Sequence, residues 1–226
     1  MKNFTKILFA ILFTFSWTIQ TIQAQYVEDF RAKTVLEKHY TDVKGSPWLS
    51  EDWVMGLVKL GNGSTYKDIP LKYDQVSGEL IFRDKSGKSL AFADPVSEFK
   101  ISDARKGEML FRSGFKAVDS NTGQSFYQVL YDGGTILLKD MKKNIIEHRA
   151  YNSASTVKSI VETPAYYLIL KGQPVKIRKD KKAVLSVLSQ TDQLEKYIKD
   201  NNLNLKDDPD LIKLISFYDS VKKDLT

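Results

Sequence analysis

Short apolar runs that alternate in twos and break at even intervals limit this chain to sheet-forming architectures. Residues 64–101 show it best. Ile69, Leu71 and Tyr73 stand two apart, so an extended backbone places all three on one face, with Lys72 and Asp74 turned away. Asp74-Gln75-Val76-Ser77-Gly78 ends that run, Leu80-Ile81-Phe82 begins the next, and Asp84-Lys85-Ser86-Gly87 separates it from Leu90-Ala91-Phe92. Two successive hairpins are expected. Pro95 has no amide hydrogen to donate, so the strand must stop or run at an edge there, before Val96, Phe99 and Ile101 resume the pattern. Upstream, residues 53–60 read as a strand closed by Gly61-Asn62-Gly63. Downstream, residues 109–112, 115–118, 125–131, 135–139, 145–149 and 166–170 read as further strands between Gly- and Asn-rich breaks. Regular short spacing of this kind predicts a mainly β fold, an antiparallel meander forming a sandwich or partly closed barrel.

The period changes after Pro174-Val175-Lys176-Ile177-Arg178. Asp180 is placed to cap a helix carrying Val184, Leu185 and Leu188, and Thr191 or Asp192 to cap a second with Leu194, Tyr197 and Ile198 on one face. Asp208-Pro209-Asp210 opens a third, in which Leu211, Leu214, Ile215 and Tyr218 repeat at helical spacing. Helices this short need a docking face. The expected division is therefore an irregular lead-in over 25–52, an antiparallel β domain over 53–178, and short helices over 179–226 packed on the same body.

The start of the chain reads differently. Lys2 and Lys6 precede an apolar run from Ile7 to Phe15 and a polar stretch ending at Ala24, the pattern of a secretory signal peptide over 1–24. That run is shorter than the ~20 residues a membrane-crossing helix needs. Export to the periplasm or the extracellular space is expected, with no transmembrane segment in the mature chain. The sequence holds no cysteine, which rules out disulfides and a lipidated N-terminal cysteine. Removal of 24 residues from 226 leaves 202, enough for a fold carried by its hydrophobic core alone.

The runs GSPWLSEDW, IPLKYDQVSGELIFRDKSGKSLAFADPVSEFKI and LEKYIKDNNLNLKDDPDLIKLISFYDS occur in that order through most of the mature chain. In this respect the chain resembles secreted proteins of unknown function from the Bacteroidota. The resemblance implies a bacterial source and an envelope or secreted location. It brings no catalytic motif.

Charge is concentrated in one segment. Residues 25–138 hold 15 basic and 16 acidic side chains and 183–226 hold 6 and 8, whereas 139–182 hold 11 and 4. Lys139, Lys142, Lys143, Arg149, Lys176, Arg178, Lys179, Lys181 and Lys182, with Lys158 and Lys171, would form an anion-binding surface if they converged. Phosphate, acidic glycans, lipid headgroups or an acidic envelope protein are the partners such a surface takes; export argues against nucleic acid. The competing reading is that these lysines guard strand edges against sheet-to-sheet aggregation.

Chemistry-bearing motifs are sparse. His39 and His148 are the only histidines and neither lies within four residues of a second one, so no histidine-based metal site and no cofactor is expected. Asp200, Asn202 and Asn204 have calcium-loop spacing, yet Leu205 stands where the loop needs glycine and Leu211 where it needs a bidentate glutamate. A helix C-cap at Asn201 or Asn202 is the competing reading. Arg112-Ser113-Gly114 reads as a turn or bulge, and no nucleophile elbow is present. The expectation is a non-enzymatic binding or structural module of the cell envelope; the alternative is a hydrolase with carboxylates assembled from distant strands.

Overall fold

In the computed structural model, residues 30–35, 40–149 and 156–223 are described. The leader reading over 1–24 and His39 lie outside them. Among the described residues, fourteen strands and three helices follow the expected order of a β body and a helical tail. The strands are β1 (Ala32–Thr34), β2 (Val43–Lys44), β3 (Val54–Leu60), β4 (Thr65–Asp74), β5 (Glu79–Arg83), β6 (Ser89–Phe92), β7 (Val96–Asp103) and β8 (Gly107–Arg112). They continue as β9 (Tyr127–Asp132), β10 (Ile136–Asp140), β11 (Lys143–Arg149), β12 (Thr156–Glu162), β13 (Ala165–Leu170) and β14 (Gln173–Ile177). The helices are α1 (Lys181–Leu185), α2 (Thr191–Asp200) and α3 (Asp208–Lys223).

Eleven strands form one antiparallel sheet in the order β1-β6-β5-β4-β3-β7-β8-β9-β10-β13-β14. Its edge strands β1 and β14 do not pair, so the sheet is open and not a barrel. The remaining strands make a small sheet, β11-β12-β2, in which β12 pairs antiparallel with β11 and parallel with β2.

Over β3 to β8 the sheet curls on itself. Inward residues Ile69, Leu71, Tyr73, Phe82, Phe92, Phe99 and Phe111 gather with Phe30 in one cluster. Phe99 stacks on Phe111 with centroids 4.7 Å apart, and Phe30 meets Phe82 edge-on at 4.9 Å. Close approach of β3 to its neighbours requires Gly56: a Cβ there would lie 2.5 Å from the Lys100 carbonyl oxygen and 2.6 Å from Leu71 Cδ1. A bulge between Gly56 and Val58 sharpens the bend.

Past β8 each sheet face has a separate cover. On β10 and β13 alternate side chains Leu137, Tyr166 and Leu168 turn to the helices and pack with Leu194, Leu211, Leu214 and Ile215. Leu138 and Tyr167 turn the other way and pack with Tyr127, Phe115 and Val118. Strand periodicity thus feeds two cores at once.

Several local expectations give way. The lead-in is not irregular throughout: β1 pairs with β6 and β2 with β12. Residues 115–118 are not a strand; their apolar side chains pack on the sheet without joining it, and Val118 makes only an isolated bridge to Asn121. Strand β12 has little alternation to announce it because its apolar residues Val157, Ile160 and Val161 do not stand two apart. Asp74 is buried at the end of β4 instead of facing water, because its carboxylate accepts from the Tyr40 hydroxyl at 2.5 Å and from the amides of Val76 and Ser77. The second helix has no side-chain cap at Thr191 or Asp192; Gln190 occupies that position in a left-handed conformation. Asp180 does cap α1, accepting from the Ala183 amide at 2.8 Å.

Candidate functional site

The ends of β10, β11, β13 and β14 meet the 119–121 turn around a cleft of about 480 Å³. Asp119 sits in that turn with a positive φ of 52°, and its Oδ2 accepts from the Tyr167 hydroxyl and from Lys176 Nζ, each at 2.8 Å. The Lys176 hydrogen bond, with that of Tyr167 behind it, holds the Asp119 carboxyl below the usual carboxylate range. Burial, and then Asp119, push the Tyr167 phenol up. Beside it Asn121 Nδ2 donates to Asp140 Oδ2 at 2.7 Å, while Asp140 Oδ1 accepts from the Lys142 amide at 3.0 Å. Tyr127, outside the cleft lining, packs edge-on against Tyr167 at 5.5 Å. Its hydroxyl is buried with no hydrogen-bond partner among the described residues, and that burial raises its pKa.

A second acid stands behind the cleft wall. At the start of α3, Asp208 Oδ1 accepts from Lys179 Nζ at 2.6 Å and the Tyr166 hydroxyl at 2.9 Å, and Oδ2 from Lys139 Nζ at 3.0 Å. Burial opposes ionisation of Asp208, yet Lys179, Lys139 and Tyr166 outweigh it and leave the carboxyl below its ordinary value. Burial, followed by Asp208, pushes Tyr166 up to about 12. Lys179 also lies 4.5 Å from the Tyr166 ring centroid, a cation–π contact. This group joins the helical tail to the sheet.

The proposed basic surface divides on this structure. Lys142, Lys176, Arg178 and Lys179 line the cleft. Lys139 is turned to Asp208, and Lys143 reaches back to donate to the carbonyls of Ser46 and Trp48 at 3.0 and 2.7 Å. Burial lowers the Lys143 pKa. Lys181 faces Glu195 at 3.4 Å beside α2 and Lys158 faces Glu147 across β11 and β12, both away from the cleft. Arg149 ends β11, and Lys182 lines a separate shallow hollow on α1. Within the cleft Lys142 has no acidic partner among the described residues. Arg178, its side chain 82 % exposed, lies with Nε 3.2 Å from Asp180, and its terminal nitrogens make no hydrogen bond among the described residues.

Acceptors complete the lining: Asp119, Ser120, Asn121, Asp140, Asn144 and Thr163. Sequence reasoning missed these residues. Asp119-Ser120-Asn121 had the composition of a turn, but its contact with Tyr167 and Lys176, about 50 positions on, has no local signal. The four cations with Asp119 and Asp140 suit a ligand carrying both an anionic group and hydroxyls.

Elsewhere the motifs serve structure. Asn201 caps the end of α2 and Asn202 takes the left-handed conformation after it, while Asp200 pairs with Lys196. Ser113 donates to the Val96 carbonyl at 3.0 Å in the turn after β8. His148 projects from β11 on the face shared with Ile146. A second cleft of about 540 Å³ lies between the β6–β7 connection and residues 122–126, but its Ser97 and Ser113 hydroxyls are already donating to backbone carbonyls. Among the described residues no group of three or more acidic, histidine or cysteine side chains forms a metal cluster, and no helix is long and apolar enough to cross a membrane. No family model, curated protein or solved structure matches the chain.

Proposed function

We propose that this chain is an exported, non-enzymatic binding module of a bacterial envelope, and that the β10–β14 cleft holds an acidic glycan. The observation that carries this reading is the meeting of Lys142 and Arg178, both with donor capacity to spare, with the acceptors Asp119, Asn121, Asp140 and Asn144 in one cleft. In the proposed complex Lys142 and the open fork of Arg178 hold the sugar's carboxylate or sulfate, and the carboxylates and amides accept from its hydroxyls. A volume near 480 Å³ falls in the range of small-ligand sites and suits one or two sugar rings better than a flat lipid surface. The leader pattern over 1–24 supports export.

The hydrolase alternative has less support. Asp119 and Asp140 do come from distant parts of the chain to one cleft, as that reading requires. A general acid, however, needs a raised pKa, and Lys176 with Tyr167 lowers that of Asp119.

Calorimetric titration with a uronic acid oligomer, and with the neutral oligosaccharide of the same linkage, tests the proposal at low ionic strength. Binding of the acidic oligomer alone is expected, weakening as the screening length shortens to about 8 Å at 0.15 M salt. The double variant Lys142→Glu, Arg178→Glu should abolish it at an unchanged melting temperature. No heat from the wild type with the acidic oligomer, or equal binding by the double variant, overturns the reading.

A further inference from the structure

The small sheet presents an edge that the glycan cleft does not use. Among the described residues β11 lies at its border, pairing with β12 on one side only. Of the four large apolar side chains most exposed among the described residues, three belong to these two strands: Ile145 at 41 %, Ile146 at 46 % and Val161 at 38 %. β11 contains no proline or glycine, and its ladder with β12 runs without a bulge from Lys143↔Glu162 to Arg149↔Thr156. The devices that blunt a free edge, apart from charge, are missing.

Hydrogen-bond parity identifies which backbone groups are open. The Thr163 amide donates to the Lys142 carbonyl across the β11–β12 ladder, so even-numbered residues of β11 face inward. The Lys143 amide instead donates outward, to the Gln75 carbonyl at 3.0 Å. Outward positions are therefore Lys143, already covered by Gln75, and then Ile145, Glu147 and Arg149. These last three have no backbone partner on that side among the described residues.

We propose that this edge takes an extended peptide of a partner protein as an added antiparallel strand. Charge selects the peptide. An apolar residue lies opposite Ile145, a basic one opposite Glu147 and an acidic one opposite Arg149, so from its N-terminus it reads acidic-x-basic-x-apolar. A second copy of this chain fits poorly. Two β11 edges related by a two-fold axis, centred on Glu147, set Glu147 against its own copy; centred on Ile146, they set Lys143 against Arg149; centred on Ile145, they need the position Gln75 fills; centred on His148, they match Glu147 with Arg149 but, of the described edge, overlap over 147–149 alone and leave Ile145 outside that overlap.

The test uses the full chain and a capped synthetic peptide, Thr-Asp-Thr-Lys-Thr-Ile-Thr, with its Asp and Lys exchanged as control. Amide hydrogen exchange followed by NMR should show the first peptide slowing Ile145, Glu147 and Arg149 by at least tenfold, with Asn144 and His148 unchanged. The control should do this at least fivefold less well. Glu147→Pro removes one outward amide and leaves the β12 ladder intact, so it should abolish peptide binding at an unchanged melting temperature. Should that variant fail to fold, Glu147→Lys must reverse the preference between the two peptides. Absence of protection, protection without odd–even alternation, or binding indifferent to these substitutions overturns the proposal. So does sedimentation of a β11-dependent dimer without peptide, which would make the second copy the occupant.

Discussion

The two ends of the main sheet bury the same kind of surface by different means. From β3 to β8 the sheet curls until its inner face packs on itself, with Phe82, Phe92, Phe99 and Phe111 closing the interior around Phe30. From β9 to β14 it stays broad enough to need covers, three helices on one face and residues 115–121 on the other. The curled half buries acids too, Asp74 and Asp103 at strand ends, but in the covered half acids join helix to sheet: Asp208 under Lys139 and Lys179, and Asp219 accepting from the Thr135 amide at 2.9 Å. Curvature gives a core sensitive to shape, and a docked tail gives one sensitive to charge as well.

The boundary between them is narrow. β8 and β9 share only two residue pairs, Phe111↔Gln128 and Arg112↔Tyr127. Arg112 reinforces this seam, its Nε donating to Glu98 of β7 at 2.9 Å and its terminal nitrogens to both oxygens of Asp132 at the end of β9 at 3.0 and 2.8 Å. Such a planar fork holds two strands where the ladder is short.

The largest effect is expected in the curled half. Phe99→Ala should cost about 3–5 kcal/mol in urea denaturation, because the rings packed around it, Phe111 stacked and Phe126 edge-on, cannot collapse into the space left. Leu214→Ala in the covered half should cost about 2–5 kcal/mol, the smaller side chain leaving the smaller void. Equal or reversed losses would erase the contrast between the cores. Arg112→Ala, which leaves Glu98 and Asp132 without their shared cation, should cost about 1.5–3 kcal/mol and separate one transition into two, seen as unequal midpoints by tryptophan fluorescence and far-ultraviolet dichroism. Coincident midpoints would mean that the halves unfold as one despite the narrow seam. Gly56→Ala should cost about 1–3 kcal/mol by forcing β3 away from Lys100 and Leu71, with no effect on the helical tail.

The smallest effect is electrostatic and confined to the covered half. Asp208 has a folded pKa below its unfolded one, so its stabilisation is complete above the ordinary carboxylate value of ~3.9 and is lost as pH falls through the lower folded value. Asp208→Asn should therefore flatten the acid limb of the stability profile in that window. A profile superimposable on the wild type would show that the helices dock by apolar contact alone.

Legibility in the sequence followed the spacing of apolar residues. Ile69, Leu71 and Tyr73 bury one face against water on the other, and such strands announce themselves by alternation. β12 does not, because its apolar residues Val157, Ile160 and Val161 do not stand two apart. Residues 115–118 misled for the opposite reason: Phe115 and Val118 are apolar because they lie over the sheet, a contact that needs no ladder. The helices were legible from their spacing, and Asp180 from its cap. Among the basic residues the count was right but the grouping was not, since Lys139 and Lys179 are drawn to Asp208 and Lys176 to Asp119, acids distant in sequence. A linear tally of charge sees none of these pairings.

The attachment of the lead-in bears on the order of folding. Val43 joins β12 through Lys158, 115 positions later, and the Ser46 and Trp48 carbonyls wait for the Lys143 ammonium. β1 likewise needs β6 before it has a neighbour. Contacts of such long range close late, after local hairpins such as β4–β5 and β5–β6 have formed. The strands that precede β3 are thus among the last to settle, and until they do the curled half lacks Phe30 and exposes the outer edge of β6.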